Sequence, residues 1–176
     1  MSSNALGPAG AVELRKSFLE GMSCAASTVN VVTTAGSAGR AGLTVSAMAS
    51  VSAETEKPTL LICVRGDGAT AQTIIKNETF CVNILRDDQV HIADCFAGRT
   101  KLDNGDRFSC AEWSIGATGA PRLVDALVSF DCRLSTTQRV GAHYVLFGSV
   151  EGIVQSDDGN PLVYSRRAYG ISKHHA

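Results

Sequence analysis

The sequence lacks a surplus of charge and any long apolar run. Its 16 Lys and Arg nearly balance 17 Asp and Glu, which leaves a formal net charge of −1. Without a basic excess, neither nucleic acid nor an acidic membrane surface is expected as a partner. The longest apolar runs have strand length, such as TLLICV at 59–64, so no segment is expected to cross a membrane.

Neither a leader segment nor a cysteine motif is expected from the sequence. MSSNALGPAG has no basic stretch followed by an apolar one, which argues against a signal peptide and favours a cytoplasmic protein. None of the six cysteines forms a C-x-x-C pair, and Cys63, Cys81 and Cys132 lie in apolar runs typical of a core. His91 and Cys95 could share a helix face, but two ligands are too few, so no metal site is expected.

What remains is an ordinary globular composition. The chain has 176 residues, 44% of them hydrophobic and 19% charged, with no internal repeat. This predicts one domain over residues 1–176, with 1–10 loose and a tail from about residue 171.

Strand signals outnumber helix signals along the chain. Helical spacing appears at 11–27, and shorter helices are predicted at 68–77 and 87–98. Strands are predicted from β-branched or alternating stretches, namely TVNVVTTAG, LTVSAMASVS, TLLICV, FCVNIL, ALVSFDCRLS, HYVLFGSVEGIVQ and PLVYSRRAYG. Many short strands with few helices indicate a mainly β (α+β) fold, a closed or nearly closed antiparallel barrel.

One motif indicates a different fold. Gly66-x-Gly68-x-x-Ala71 follows a predicted strand and opens a helix, and Asp87 lies about twenty residues on. This matches the short form of a dinucleotide-binding fingerprint and would suit a Rossmann-type dehydrogenase. However, the helix is short for a crossover, and no helix–strand alternation follows residue 98. The loop could still hold a phosphate on its backbone amides.

The stretch GRAGLTVSAMASVSAETEKP, residues 39–58, has unusually short side chains. Its composition is that of a linker, yet Leu43, Val45, Met48 and Val51 run through it, which a linker does not need. Two explanations remain open from the residues alone. Either the strand packs closely against a neighbouring strand, or a large flat ligand lies against its backbone.

The order of motifs resembles the flavin reductase family, the short-chain flavin-binding split-barrel proteins. The resemblance covers roughly residues 14–169 and is carried by VVTTAG, GRAGLTVSAMASVS, KPTLLICV, FCVNIL, FAGR, DRF, GAPRLVDALVSFDCRL, HYVLFGSVEGI and PLVYSRRAY. It implies a six- or seven-stranded antiparallel split barrel with peripheral helices, and a homodimer whose interface borders the flavin site. The implied activity is hydride transfer from NADH or NADPH to FMN or FAD.

The resemblance also implies site residues. The segment 44–52 would run beside the flavin ring, with Thr44, Val45, Ser46, Ala47, Ser50, Val51 and Ser52 as contacts. Because strand side chains alternate, Ser46, Ser50 and Ser52 are expected on one face. Arg65, Gly68, Ala69 and Thr70 would hold the flavin phosphate.

Further contacts are implied towards the nicotinamide. Phe96, Ala97, Gly98 and Arg99 would lie near the ribityl chain, and Tyr164, Arg167 and Tyr169 would cover flavin or nicotinamide. His143 is the candidate catalytic residue, by positioning the nicotinamide. No acid–base pair is required, because a hydride passes directly between the two cofactors.

The acceptor of reduced flavin stays open at this point. A partner flavin-dependent monooxygenase, ferric iron or a corrinoid would each suit the family. A non-catalytic flavin-binding or storage protein on the same fold is the alternative. The sequence departs from the family at Lys57-Pro58, where two prolines are common, and in the added AETE.

Overall fold

The computed structural model describes residues 7–103 and 105–173. The first helix begins at Pro8, so the prediction that residues 1–10 are loose is wrong for 8–10, and residues 1–6 lie outside the described part. Proline suits a first helical turn, where its missing N–H has no partner to lose. The predicted tail begins as the last strand ends at Ile171, while the two histidines at 174–175 also lie outside the described residues.

Three α-helices, one 3₁₀ turn and twelve strands make up the described chain. The helices are α1 (Pro8–Ser23), α2 (Ala69–Asn77) and α3 (Val90–Phe96), and the 3₁₀ turn is Arg107–Cys110. The strands are β1 (Ser27–Thr28), β2 (Asn30–Thr34), β3 (Ala41–Val45), β4 (Met48–Ser52), β5 (Thr59–Arg65), β6 (Thr79–Ile84), β7 (Trp113–Ile115), β8 (Pro121–Leu123), β9 (Val128–Val140), β10 (His143–Gln155), β11 (Leu162–Ser165) and β12 (Ala168–Ile171).

Seven strands form one antiparallel sheet in the order β3-β2-β6-β9-β10-β5-β4. The two ends of this order, β3 and β4, are consecutive in the chain and separated only by Ser46 and Ala47. The sheet therefore curls until its edges meet, which gives the predicted antiparallel barrel. The predicted single strand LTVSAMASVS is in fact two strands, because it bends there from pairing with β2 to pairing with β5.

The antiparallel sheet rules out the Rossmann alternative. A dinucleotide-binding unit needs two parallel strands joined by a crossover helix. Here β5 and β6, which flank α2, are not neighbours, since β9 and β10 lie between them. The glycine motif is a strand-to-helix turn in an antiparallel barrel.

Two smaller sheets flank the barrel. β1, β11 and β12 form one, and β7 with β8 the other. PLVYSRRAYG was predicted as a single strand, but it is a hairpin of β11 and β12. Its turn residues Arg166 and Arg167 have φ of 48° and 62°, the left-handed values of a tight two-residue hairpin turn. The hairpin places Tyr164 directly opposite Tyr169.

The buried side chains form two clusters. One fills the barrel around Ile62, Phe80 and Leu146. The second packs α3 and the 3₁₀ turn on the outer face, around Leu85, Phe96 and Phe108. Cys81 and Cys132 are buried as predicted, whereas Cys63 is only half-buried.

The apolar face of α1 has no cover within the described chain. The fractional exposures of Val12, Leu14 and Phe18 are 69%, 59% and 63%, and Leu19 and Met22 are also exposed. The helix is tied to the rest by an ion pair from Glu20 to Arg167 and by a hydrogen bond from the Arg166 amide to the Ser23 carbonyl. No helix in the described part is long and apolar enough to cross a membrane.

Candidate functional site

The site centres on the bend between β3 and β4. Ser46 and Ala47 are both exposed, and their backbone is fixed on either side of the bend. The Met48 amide donates to the Ser46 carbonyl at 3.1 Å, and the Cys63 amide donates to the Ala47 carbonyl at 3.0 Å. Because both side chains are short, a ligand can approach the backbone here.

Two clefts meet at this bend. The first has a volume of about 180 Å³ and is lined by Val29, Thr44, Ser46, Ala97, Arg99, Tyr164 and Tyr169. The second has a volume of about 320 Å³ and is lined by Met22, Ser23, Ala25, Ser27, Ser46, Ala47, Tyr164 and Arg167. Since Ser46 and Tyr164 line both, the clefts form one continuous surface, which we call the bend cleft. It brings together eight of the predicted site residues from three separate stretches of the chain, 44–47, 97–99 and 164–169.

Two tyrosines form one wall of the bend cleft. Tyr164 on β11 and Tyr169 on β12 pack edge to face, with ring centroids 5.5 Å apart. The Tyr169 hydroxyl donates to Asp94 Oδ1 at 2.8 Å. Burial, together with this hydrogen bond, raises the pKa of Tyr169 to about 12, so the phenol stays protonated across the physiological range.

Arg99 supplies a positive charge in the first half of the bend cleft. Its Nη1 donates to Asp94 Oδ1 and to the Tyr169 hydroxyl, each at 3.0 Å. The hydrogen bond to the Asp94 carboxylate raises the pKa of Arg99, and the neighbouring Tyr169 adds to this. Arg99 is therefore a permanent cation, held against a tyrosine ring.

Other predicted residues contribute backbone or packing. The Thr44 hydroxyl donates to the Ala93 carbonyl at 2.7 Å, which ties β3 to α3. Val45 is buried in the barrel. Phe96 is 1% exposed and packs edge-on against Phe108 and Trp113, so its ring supports the site from behind. Gly98 has a φ of +74° and ends the turn that aims Arg99 into the bend cleft.

Ser50, Val51 and Ser52 do not line the bend cleft. They lie on β4, and the Ser52 hydroxyl accepts from the Glu54 amide. The expected alternation of serines on one face is wrong, because the strand bends after Ser46 and bulges at Val51. At that bulge, Ser50 pairs with Leu60 and Ser52 with Thr59, so two residues of β4 advance against one of β5.

The residues predicted to bind the flavin phosphate lie in different surroundings. Arg65 forms an ion pair with Asp67 at 2.5 Å, and both side chains are exposed. Gly68 is the N-terminal cap of α2, and Ala69 lines an open groove of about 530 Å³ with Gln72 and Lys76. The predicted residues of this loop therefore do not converge on the bend cleft.

Thr70 lines a separate, third cleft of about 300 Å³. The other residues of this cleft are Arg40, Ala41, Gly42, Gly105, Asp106, Arg107 and Phe108. Arg40 pairs with Asp106 at 3.0 Å and lies over the Phe108 ring. Arg107 Nη1 donates to the Phe96 carbonyl, and a side chain at Gly98 would meet Arg107 Nη2 at 3.2 Å. Arg107 of this third cleft therefore lies close to Gly98, whose chain neighbours Ala97 and Arg99 line the bend cleft.

His143 is exposed at the start of β10, where it pairs with Arg65 across the strands. Two residues before Arg65 on the same strand, Cys63 donates its amide to the Ala47 carbonyl. His143 and Ala47 are therefore separated by one intervening strand, β5, and by about two residues along it. By ordinary sheet spacing the two residues are roughly 12 Å apart. His143 lies at the same end of the barrel as the bend but outside the residues that line the bend cleft.

Asp94, Arg40 and Arg107 were missed by reasoning from the sequence. Arg107 stands in the DRF motif, so its position in a family-like motif was an available signal. Asp94 gave no signal, because its partner Tyr169 lies 75 residues away. Among the described residues, no group of three His, Cys, Asp or Glu side chains could hold a metal ion. The Cys95 thiol, which by its spacing could share a helix face with His91, donates to the Arg107 carbonyl.

Known proteins match this chain in sequence and in fold. The model of the flavin reductase like domain matches residues 22–173. FMN reductase (NADH) RutF of Enterobacter sp. (strain 638) is 42% identical over 154 residues, which cover 88% of this chain and 92% of the relative.

Two solved structures extend the likeness to the fold. A flavin reductase of Haemophilus somnus 129pt superposes with a TM-score of 0.82 at 37% identity, covering 89% of this chain and 98% of that one. BorF, the flavin reductase component of a bacterial two-component tryptophan halogenase, gives a TM-score of 0.79 at 29% identity, with coverage of 92% and 99%. The chain adopts the split barrel of these proteins and belongs to the flavin reductase family.

Proposed function

We propose that this protein is a flavin reductase that transfers a hydride from NADH to FMN. The observation that carries the proposal is the bend cleft. Its floor is the backbone of Ser46 and Ala47, and Tyr164, Tyr169 and Arg99 line its walls. FMN reductase (NADH) RutF, at 42% identity, supports FMN and NADH as the pair.

The residues of the bend cleft fit a flavin. A flat ring needs a floor without protruding side chains, which Ser46 and Ala47 provide, and an apolar wall, which Tyr164 and Tyr169 provide. The backbone of 44–47 would hold the ring, and Ala97 and Gly98 would lie beside the ribityl chain. When bound, the flavin supplies the hydride acceptor, so the protein needs to bind and align rather than to exchange protons.

The phosphate of FMN is held in the third cleft. Arg107 Nη2 lies close to Gly98, between Ala97 and Arg99 of the bend cleft, and Thr70 and Arg107 line the third cleft together. Guanidinium groups bind phosphate with short, charge-assisted hydrogen bonds. Arg65, the residue predicted for this role, already has its charge matched by Asp67. Arg107 is therefore the stronger candidate, with Arg40 close by.

His143 and Arg167 are the residues proposed to position the nicotinamide nucleotide. Arg167 is exposed on the far rim of the bend cleft, and His143 lies beyond Ala47 at the same end of the barrel. A nicotinamide ring that reaches the flavin from this end leaves its ribose and phosphates near these side chains. Their role is to position NADH, without a proton transfer.

The working form is a homodimer formed through α1. Its apolar residues are exposed, and Phe18 alone has a fractional exposure of 63%, which is unusual on a surface without a partner. Met22 at the end of the same helix lines the bend cleft, so a second copy on this face would border the flavin. We expect Phe18→Glu to give a monomer in sedimentation at micromolar concentration and the matched change Ile115→Glu, at an exposed residue on β7, to leave the dimer. A monomeric parent would contradict this.

The reduced flavin passes to a partner oxygenase in the cytoplasm. BorF, a reductase component of a two-component halogenase, supports a separate acceptor protein. The six cysteines are unpaired, as expected in a reducing compartment.

The test of the activity is NADH oxidation with and without added FMN under anaerobic conditions. A flavin reductase oxidises NADH in step with the bleaching of FMN, and NADPH and FAD can be compared in the same way. A protein that binds FMN but leaves NADH unchanged would instead be a storage protein, and the proposed activity would be wrong.

A further inference from the structure

Asp94 joins two elements that border the bend cleft. It lies on α3, and its Oδ1 accepts from the Tyr169 hydroxyl of β12 at 2.8 Å and from Arg99 Nη1 at 3.0 Å. Arg99 Nη1 also reaches the Tyr169 hydroxyl at 3.0 Å. The three side chains therefore form a closed triangle, in which each contacts both of the others.

Two of the three side chains in the triangle line the bend cleft. Arg99 and Tyr169 both line it, whereas Asp94 is not among its lining residues. Tyr169 in turn packs against Tyr164, which lines both halves of the bend cleft. A change at Asp94 can thus reach the tyrosine wall and the cation without touching a ligand directly.

The ion pair with Asp94 also limits the conformations of the Arg99 side chain. Arg99 follows the turn at Ala97 and Gly98, so its long side chain has many rotamers unless a partner selects one. In the described part of the chain, Asp94 is the carboxylate that forms an ion pair with Arg99. A charge-assisted hydrogen bond is short and directional, which fixes the guanidinium more firmly than ring contact alone.

We infer that Asp94 is a positioning residue for flavin binding, which holds Arg99 and Tyr169 where the bend cleft needs them. The inference rests on the proposed function, since it takes the ligand to be FMN. It predicts that Asp94 acts only through Arg99 and Tyr169. The effect of losing Asp94 should therefore shrink once Tyr169 has lost its hydroxyl.

The experiment measures FMN binding by quenching of flavin fluorescence, without NADH. Asp94→Ala removes both hydrogen bonds, and we expect the dissociation constant to rise roughly tenfold. Asp94→Asn keeps one acceptor for the Tyr169 hydroxyl but loses the charge, so its rise should be smaller, about threefold. Tyr169→Phe should also weaken binding, and Asp94→Ala combined with it should be little worse than Asp94→Ala alone.

The control is Asp88→Asn, which breaks another Arg–Asp pair, Arg86 Nη2 to Asp88 Oδ2 at 3.1 Å, away from the bend cleft. It should leave FMN affinity unchanged. In turnover assays of the Asp94 variants, KM for FMN should rise while kcat at saturating FMN stays within about twofold, a split that a general loss of folding would not give.

Three results would overturn the inference. Unchanged FMN affinity in Asp94→Ala would show that Asp94 does not position the site. Additive losses in the double variant would show that it acts by another route. A fall in unfolding midpoint with an unchanged dissociation constant would show a structural role only. The proposed function fails separately, if the parent protein binds no FMN, and then the ligand assigned to Asp94 falls with it.

Discussion

Two regions of this barrel look alike in the sequence and differ in the structure. The bend at Ser46 and Ala47 and the loop at 66–68 both consist of residues with short side chains, and each directly follows a strand. Around the bend, side chains from the turn after α3 and from the β11–β12 hairpin converge, so that Ser46 lines the same cleft as Arg99 and Tyr164. In the loop, Arg65 is matched by Asp67 two residues on. Short side chains leave room for a ligand, but the side chains that could bind the ligand come from distant parts of the chain.

The glycines of the loop have packing reasons of their own. A Cβ at Gly66 would meet the Tyr144 ring at 2.8 Å, so this glycine lets β5 leave the barrel against β10. At Gly68 the nearest atom is the Arg65 carbonyl at 3.9 Å, an ordinary contact. The motif that resembled a dinucleotide fingerprint thus needs only one of its glycines for the fold.

The largest effect is expected from filling the bend. Ser46→Leu adds bulk where the flavin ring is proposed to lie, and overpacking of this kind costs about 2 kcal/mol, or roughly thirtyfold in the dissociation constant for FMN. Ser50→Leu is the matched control on β4, outside the bend cleft, and should change affinity less than about twofold. Fluorescence titration measures both, and equal losses would contradict the distinction drawn between Ser46 and Ser50.

The phosphate end gives the next effect. Arg107→Ala should weaken FMN by roughly tenfold, about 1.4 kcal/mol for a lost charge-assisted hydrogen bond. Riboflavin, which has no phosphate, should bind the variant as it binds the parent. Arg65→Ala is the control in the loop, since the Arg65 charge is already matched by Asp67. A tenfold loss of FMN affinity in Arg65→Ala instead would show that the loop binds the phosphate.

His143→Ala should give a smaller and graded effect. If this side chain positions the nicotinamide, turnover should fall roughly three- to tenfold, about 0.7–1.4 kcal/mol of transition-state stabilisation. FMN affinity should stay the same, because His143 lies outside the bend cleft. Stopped-flow reduction of bound FMN measures the hydride step, and an unaltered rate would remove His143 from the reaction.

The smallest effect on ligand binding is expected at the loop glycines. Gly68→Ala should leave FMN and NADH affinity unchanged, because its φ of −86° suits alanine and the space is open. Gly66→Ala should lower the free energy of unfolding by about 1–2 kcal/mol through the contact with Tyr144. Denaturant unfolding and ligand titration separate these outcomes. Loss of NADH binding in Gly68→Ala would restore a nucleotide role for the loop.

The sequence by itself determined most of the secondary structure and the family. Alternation and β-branching predicted the barrel strands, and β10 begins and ends at the predicted residues, His143 and Gln155. The sequence also named eight of the residues that line the bend cleft, because the order of family motifs carries them. These features are local or follow from linear order, so a linear reading can recover them.

Only the tertiary structure decided which predicted residues work together. The bend after Ser46 and the bulge at Val51 arise because the strand must pair with β2 and then with β5 to close the barrel. That closure separates Ser46 from Ser50, which alternation alone had placed on one face. Asp94 meets Tyr169 across 75 residues, and no local pattern encodes such a contact. Long-range packing sets these positions, because each depends on where distant strands lie in the closed sheet.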